Sequence, residues 1–212
     1  MRIIKINATN STNSFLKELA QSSSLDELTV AVTNKQTSGR GQVNNSWVSE
    51  PYKNLTFSLF TPLKKIKIEH QAYLNFAVSL AIYDTLLEYD VPKLYIKWPN
   101  DIMSDNKKIC GILIENTFFD FRIKNTIVGI GLNVNQEKFD ESLINASSLK
   151  IILKKNIDLE ALMNKIIDNI NIKISCVELG NFNLIHNQYH EVLFRKGIPT
   201  TFLNQKTNQL FM

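Results

Sequence analysis

The sequence predicts an α+β fold, a mixed and largely antiparallel β-sheet with helices packed on one side. Three observations predict it. Short β-branched runs and amphipathic segments are mixed along the chain without the regular strand–helix alternation of a parallel α/β sheet. Two pairs of strand-like runs are separated by short polar turns, the connection that antiparallel neighbours use. Among 212 residues, 44% are hydrophobic and 21% charged, ordinary usage for a packed domain, with no internal repeat or low-complexity linker.

The elements follow in order. "RIIKI" (2–6) is a β-branched run and a first strand. Phe15, Leu16, Leu19 and Ala20 then recur at helical spacing, with Ser11, Thr12 and Asn13 where a helix cap belongs. "LTVAVTNKQ" (28–36) reads as a strand running into a glycine loop, and "NLTFSLF" (54–60) as another, bracketed by Pro51 and Pro62. Residues 69–89 form the clearest helix, on Ala72, Phe76, Leu80 and Tyr83. "KLYIKW" (93–98) is a strand stopped by Pro99, with Trp98 expected in the core. A hairpin turning at Ser104–Asp105–Asn106 leads into "KKICGILIE" (107–115), and "TIVGIGLNV" (126–134) is a buried strand. Helices over 158–174, started by Asp158, and over 181–193 precede a small hairpin in "TTFLNQKTNQLFM".

Composition narrows the function. The net charge of +4, from 24 basic and 20 acidic residues, is too mild to argue for nucleic acid and suits small anionic substrates or an acidic partner. The two cysteines, Cys110 and Cys176, form no CxxC pair, and with three scattered histidines they make no zinc pattern. Reduced thiols, no apolar signal segment at the N-terminus and no run of membrane-spanning length predict a cytoplasmic protein.

Four motifs carry candidate chemistry. In "KQTSGRGQVNNSW" (35–47), Gly39 and Gly41 permit close backbone approach, and Arg40 offers a charged fork to a carboxylate or phosphate. The loop is neither a Walker loop nor a dinucleotide fingerprint, since Asn44 stands where a third glycine would be, and a plain turn fits it as well. In "KWPND" (97–101), Asn100 and Asp101 project from a strand end, as site residues do, or form an Asx turn. In "KKICGILIE", simple alternation puts Lys108, Cys110 and Ile112 on one face and Ile109, Gly111 and Leu113 on the other. Lys108 is either a solvated hairpin residue or a point charge for phosphate, and Cys110 is a buried filler. In "VGIGLNV", two glycines in a buried strand call for close packing, by a neighbouring strand or by a ligand, and Asn133 offers an amide. His70, His186 and His190 fall in predicted helices away from these loops. An inventory of backbone amides, Arg, Lys, Asn and Asp suits phosphate chemistry driven by orientation and charge neutralisation.

The ordered set "STN" (11–13), "QTSGRGQ" (36–42), Trp47, "KWPND", "KKICGILIE" and "VGIGLNV" (128–134) resembles the biotin–protein ligase family, the biotin–[acetyl-CoA-carboxylase] ligases, from about residue 3 to 195. The resemblance implies a fold like that of class II aminoacyl-tRNA synthetases, a catalytic domain over 1–190 and a partial, apparently truncated SH3-like segment over 191–212. It implies that biotin is activated with ATP and Mg²⁺ as biotinyl-5′-AMP and transferred to a lysine of a biotin carboxyl carrier protein domain. It gives Arg40 and Lys108 as catalytic residues. Ser11, Thr12, Asn13, Gln36, Arg40, Gly41, Gln42, Lys108 and Gly111 are implied at biotin, and Gly39, Arg40, Trp47, Asn100 and Asn133 at the nucleotide. Asp101 is implied as a Mg²⁺ ligand or as a partner orienting Lys108. Loop 35–47 is expected to close over the intermediate. A homodimer is common among relatives, and neither DNA nor a membrane is an expected partner, since no helix-turn-helix precedes the first strand.

The sequence departs from the family where Gln42 replaces a second basic residue and where Val43 and Asn44 replace residues that are often basic and glycine; a less flexible loop is expected. Two other readings stand beside this one, a lipoate or octanoate ligase or transferase of related fold and a silent biotin- or carrier-binding module.

Overall fold

The computed structural model describes residues 1–43, 45–204 and 207–212, so the expectation attached to Asn44 lies outside the described residues, as does the centre of the last hairpin. A seven-stranded sheet organises the chain in the order β1-β2-β3-β7-β6-β5-β4. Its strands are β1 (Arg2–Thr9), β2 (Thr29–Gln36), β3 (Leu55–Pro62), β4 (Leu94–Lys97), β5 (Asp101–Ser104), β6 (Lys107–Phe119) and β7 (Arg122–Leu132). Only β1 and β2 run parallel; the other pairs described are antiparallel, as the sequence predicts.

The helices are α1 (Thr12–Ser22), α2 (Gln71–Glu88), α3 (Leu149–Leu153), α4 (Leu159–Glu178) and α5 (Phe182–Glu191). Caps start two of them as their sequences require: Ser11 Oγ accepts from Ser14 N–H at 3.5 Å, and Asp158 Oδ1 from Ala161 N–H at 3.0 Å. The short α3, capped by Ser148, has no counterpart in the sequence reading, because five residues are too few to show a helical period.

Alternate residues of the sheet face two cores. Val30, Phe57, Leu59, Val128 and Ile130 pack with α2, α4 and α5, while Ala31, Phe60 and Ile127 pack with Leu16 of α1 on the opposite face. Helices α2, α4 and α5, with Leu149 of α3, thus share one core and α1 covers part of the other face. The central strand β3 is buried on both faces from Leu55 to Thr61, including the polar Thr56 and Ser58. The outer edge of β4 is closed by main chain: Ile96 N–H donates to Val192 O and accepts at its carbonyl from Phe194 N–H, both at 2.9 Å. The chain ends in a two-stranded hairpin, β8 (Phe202–Leu203) with β9 (Leu210–Phe211).

Trp98 departs from expectation: it is 69% exposed. Leu94 and Ile96 point inward by alternation, but β4 stops at Lys97, so the pattern that would bury Trp98 does not reach it.

Candidate active site

The sheet face left open beside α1 carries a cleft of about 350 Å³. Its floor is made by two cross-strand pairs, Leu113 opposite Gly129 and Gly111 opposite Gly131. Glycine is required there for a visible reason. A Cβ on Gly129 would overlap the Asn13 amide, and one on Gly131 would overlap the Trp47 indole; one on Gly111 would come within 3.0 Å of Trp47 Cζ3. The glycines admit side chains from α1 and from the loop down onto the sheet.

The loop wall closes on itself. Trp47 N–H donates to Gly39 O at 2.9 Å, Gly41 N–H to Asn45 O at 2.6 Å, and Arg40 and Ser46 form an antiparallel bridge. A Cβ on Gly39 would strike the Trp47 carbonyl, so this glycine serves the loop's own fold. Val43 sits at the tip at φ 50°, a conformation that β-branched residues rarely adopt. Among the described residues, the buried Trp47 Nε1 has no hydrogen-bond partner.

The end of the cleft at the α1 N-terminus is polar. Gln36 Oε1 accepts from Thr12 N–H at 2.8 Å. Ser58 Oγ lies 2.6 Å from Thr12 Oγ1 and donates to Asn13 Oδ1 at 2.5 Å. Since Ser58 has a single hydroxyl proton and gives it to Asn13, the Thr12 hydroxyl donates across the 2.6 Å contact to Ser58, sharing its one proton with Gln36 Oε1 at 3.2 Å. Asn13 Nδ2 in turn donates to Glu115 Oε2 at 2.8 Å. The chain of donors runs one way, from Thr12 through Ser58 and Asn13 to Glu115.

Two cations line the cleft, Arg40 from the loop and Lys108 from β6. Arg40 Nη2 pairs with Glu115 Oε2 at 2.8 Å. Lys108 Nζ stands 2.7 Å from Asp101 Oδ1, an ion pair by distance whose angle falls outside hydrogen-bond geometry, and 5.7 Å from the centre of the Trp47 ring.

Lys108 reaches the cleft because simple alternation fails. β5 pairs Ile102 with Cys110 but Met103 with Lys108, so Ile109 is an extra residue in β6. This bulge turns Lys108 onto the face of Gly111, within 3.4 Å of where a Gly111 Cβ would stand, and leaves Ile109 and Cys110 both buried on the core side. The predicted grouping of Lys108 with Cys110 is corrected accordingly. Burial raises the Cys110 thiol far above its ordinary value, so it is an inert filler beside the cleft.

Ser11, Thr12, Asn13, Gln36, Arg40, Gly41, Gln42, Trp47, Asn100, Asp101, Lys108 and Gly111 all line this one cleft. Gly39 and Asn133 do not. Asn133 lies beneath it, 4% exposed, its amide donating to Ser147 O at 3.0 Å, so it fixes the return of the chain after β7. Asn100 Nδ2 donates to Ile112 O at 2.8 Å, which ties the β4–β5 turn to β6. Ser58, Glu115, Gly129 and Gly131 were not singled out individually as site residues. The histidines gather elsewhere, His70 stacked on Phe182 and His186 beside His190 on α5, with ring centres 4.0 and 4.2 Å apart.

The donor set does not fit a metal held by the protein. Among the described residues no three His, Cys, Asp or Glu side chains converge, and Asp101, the carboxylate that lines the cleft, already carries the Lys108 ammonium. No described helix is long and apolar enough to cross a membrane.

The sequence matches the biotin/lipoate A/B protein ligase family over residues 6–135. It is 34% identical over 131 residues to the bifunctional ligase/repressor BirA of Bacillus subtilis, covering 62% of this chain and 40% of that protein. It is 34% identical over 128 residues to the biotin–[acetyl-CoA-carboxylase] ligase of Paracoccus denitrificans, covering 59% of this chain and 52% of that one. The matches thus span less than two thirds of these relatives' own length. Among solved structures, the biotin protein ligase of Aquifex aeolicus in complex with biotin and ATP superposes with a TM-score of 0.78 at 25% identity, over 91% of this chain and 78% of that chain. The Leishmania major biotin protein ligase with biotinyl-5-AMP shares the fold, with a TM-score of 0.77 at 22% identity.

Proposed function

This chain belongs to the biotin/lipoate A/B protein ligase family, and on that premise we propose that it activates biotin with ATP and transfers it to a lysine of a biotin carboxyl carrier protein domain. The observation that carries the reading is the presence of Arg40 and Lys108 in one cleft whose wall at the α1 N-terminus is the polar Thr12–Ser58–Asn13 chain.

In the first step a biotin carboxylate oxygen bonds to the α-phosphorus of ATP, the bond to the β-phosphate oxygen breaks, and pyrophosphate leaves. Two anions must approach each other. Their repulsion at about 4 Å is on the order of 4 kcal/mol near a protein surface, and the Arg40 guanidinium and Lys108 ammonium offset it. Asp101 keeps the ammonium directed; the pair is neutral as a unit, and the remaining N–H donors of the ammonium are what a phosphate oxygen would take. Mg²⁺ belongs in this account to the nucleotide substrate, and no step is assigned to it. In the second step the acceptor lysine amine attacks the acyl carbon, the amide forms, AMP leaves and the amine gives up a proton. No protein nucleophile is required.

The ureido head of biotin carries two N–H donors and a carbonyl acceptor. Ser11, Thr12, Asn13 and Gln36 set polar groups of both kinds at that wall of the cleft, whereas the apolar dithiolane of lipoate would cover them without using the capacity their mutual hydrogen bonds leave, such as the Ser11 hydroxyl proton and Gln36 Nε2, at a cost of about 1–3 kcal/mol for each group so buried. That favours biotin over the lipoate reading. The protein is assigned to the cytoplasm.

The test offers labelled biotin and labelled lipoate separately, each with ATP and an acceptor carrier domain. Label transferred from biotin to the carrier lysine supports the reading; transfer from lipoate alone, or from neither, overturns it.

A further inference from the structure

Glu115 closes the run Gly111, Leu113, Glu115 on the cleft face of β6. Its oxygen Oε2 accepts from Arg40 Nη2 and from Asn13 Nδ2, each at 2.8 Å. One atom therefore ties the loop cation to the first turn of α1. The same contact decides which way the Asn13 amide faces, because Nδ2 is drawn to Glu115 and to Leu113 O at 3.3 Å, leaving Oδ1 for Ser58. Among the described residues the Arg40 guanidinium makes no other hydrogen bond, so the rest of its N–H fork is open to an anion without the Glu115 contact having to break.

We propose that Glu115 is a positioning residue for Arg40, holding the guanidinium at the cleft wall before any ligand arrives and joining the 36–47 loop to the polar chain at the α1 N-terminus. An unanchored arginine gives up rotamer freedom when it meets its anion, whereas an anchored one has given it up on folding. The charge matters as well as the shape, since a charge-assisted pair is about twice as strong as a neutral hydrogen bond. The consequence for catalysis rests on the ligase reading above; the consequence for the loop does not.

Two experiments test this with Glu115→Gln, which keeps an acceptor and removes the charge. Arg40 is itself a trypsin site. In the ligand-free protein, cleavage after Arg40 is expected to quicken about fivefold, the upper worth of a partly exposed ion pair. Cleavage after the exposed Lys154, on a different loop, serves as the control for general loosening. An unchanged rate after Arg40, or equal acceleration after Lys154, overturns the proposal. The second experiment is a double-mutant cycle on biotin-dependent pyrophosphate release. Glu115→Gln is expected to slow release about fivefold in the native background and less than about twofold beside Arg40→Ala, because a residue acting through Arg40 has nothing left to act on. Equal losses in both backgrounds would mark a merely structural role and overturn it. Should the native chain release no pyrophosphate at all, the ligase reading fails, and the trypsin comparison still decides the role of Glu115.

Discussion

The Trp47 indole rests on the bare main chain of Gly131, at the point where the loop meets the cleft floor. The contact joins a residue of a glycine loop to a strand more than eighty residues away, and it exists because β7 has no side chain there. Gly131→Ala is therefore expected to lift the indole and to destabilise the protein by about 1–3 kcal/mol, the usual cost of overpacking. Tryptophan emission, recorded with Trp98→Phe so that Trp47 alone reports, should shift to the red. Unchanged emission would place the indole elsewhere.

Ser58 is the hinge of the oriented polar chain and is fully buried. Ser58→Ala removes, among the described residues, the donor to Asn13 Oδ1 and the nearer acceptor of the Thr12 hydroxyl, which keeps Gln36 Oε1 at 3.2 Å. The expected cost is about 1–3 kcal/mol of stability for the Asn13 oxygen left unpaired, with weaker biotin binding of about tenfold. Urea denaturation and titration calorimetry read the two effects separately.

Lys108 is half-exposed, and so is expected to matter little for folding and greatly for reaction. Lys108→Ala should leave the melting temperature within a few degrees of the native value and slow pyrophosphate release by about 10²-fold or more, as removal of one group that stabilises transition-state charge does elsewhere. A loss of less than about tenfold would assign the charge neutralisation to Arg40 alone.

Tyr189 supplies a pH signature far from the cleft. It is buried, stacked on Phe76 at 4.1 Å, and among the described residues its hydroxyl has no hydrogen-bond partner; burial raises its pKa to about 12. The folded form keeps the proton that the unfolded chain loses from about pH 10. This contribution to stability is complete below pH 10 and is lost as the pH rises toward 12. Tyr189→Phe should abolish that alkaline loss and leave the protein equally stable, or about 1 kcal/mol more so, at pH 7. Chemical denaturation at pH 7 and pH 11 checks both parts.

Much of this was legible because the site lies in local motifs. The Ser11–Asn13 cap, the GRG loop, the Asn100–Asp101 strand end and the lysine–glycine strand each announce themselves within a few residues, and together they bring twelve of the expected residues to one cleft. What was not legible depends on pairing between distant segments. The bulge at Ile109 that turns Lys108 into the cleft is a fact about the β5–β6 register. Ser58 reads as a polar residue in an apolar strand until α1 is laid across it, and Glu115 reads as the polar end of a strand until Arg40 arrives. The glycines of β7 signalled close packing, but not that Asn13 and Trp47 would be the residues to use it. Asn133 looked like a ligand amide because nothing local revealed that Ser147 would claim it.

Everything functional turns on whether the cleft can bring a carboxylate against a nucleotide phosphate. Pyrophosphate release from ATP, measured with biotin present and absent, addresses that directly. The account predicts release only when biotin is added, with biotinyl-AMP recoverable from the protein and both signals failing in Lys108→Ala. Release that ignores biotin, or none from the native chain, would contradict it.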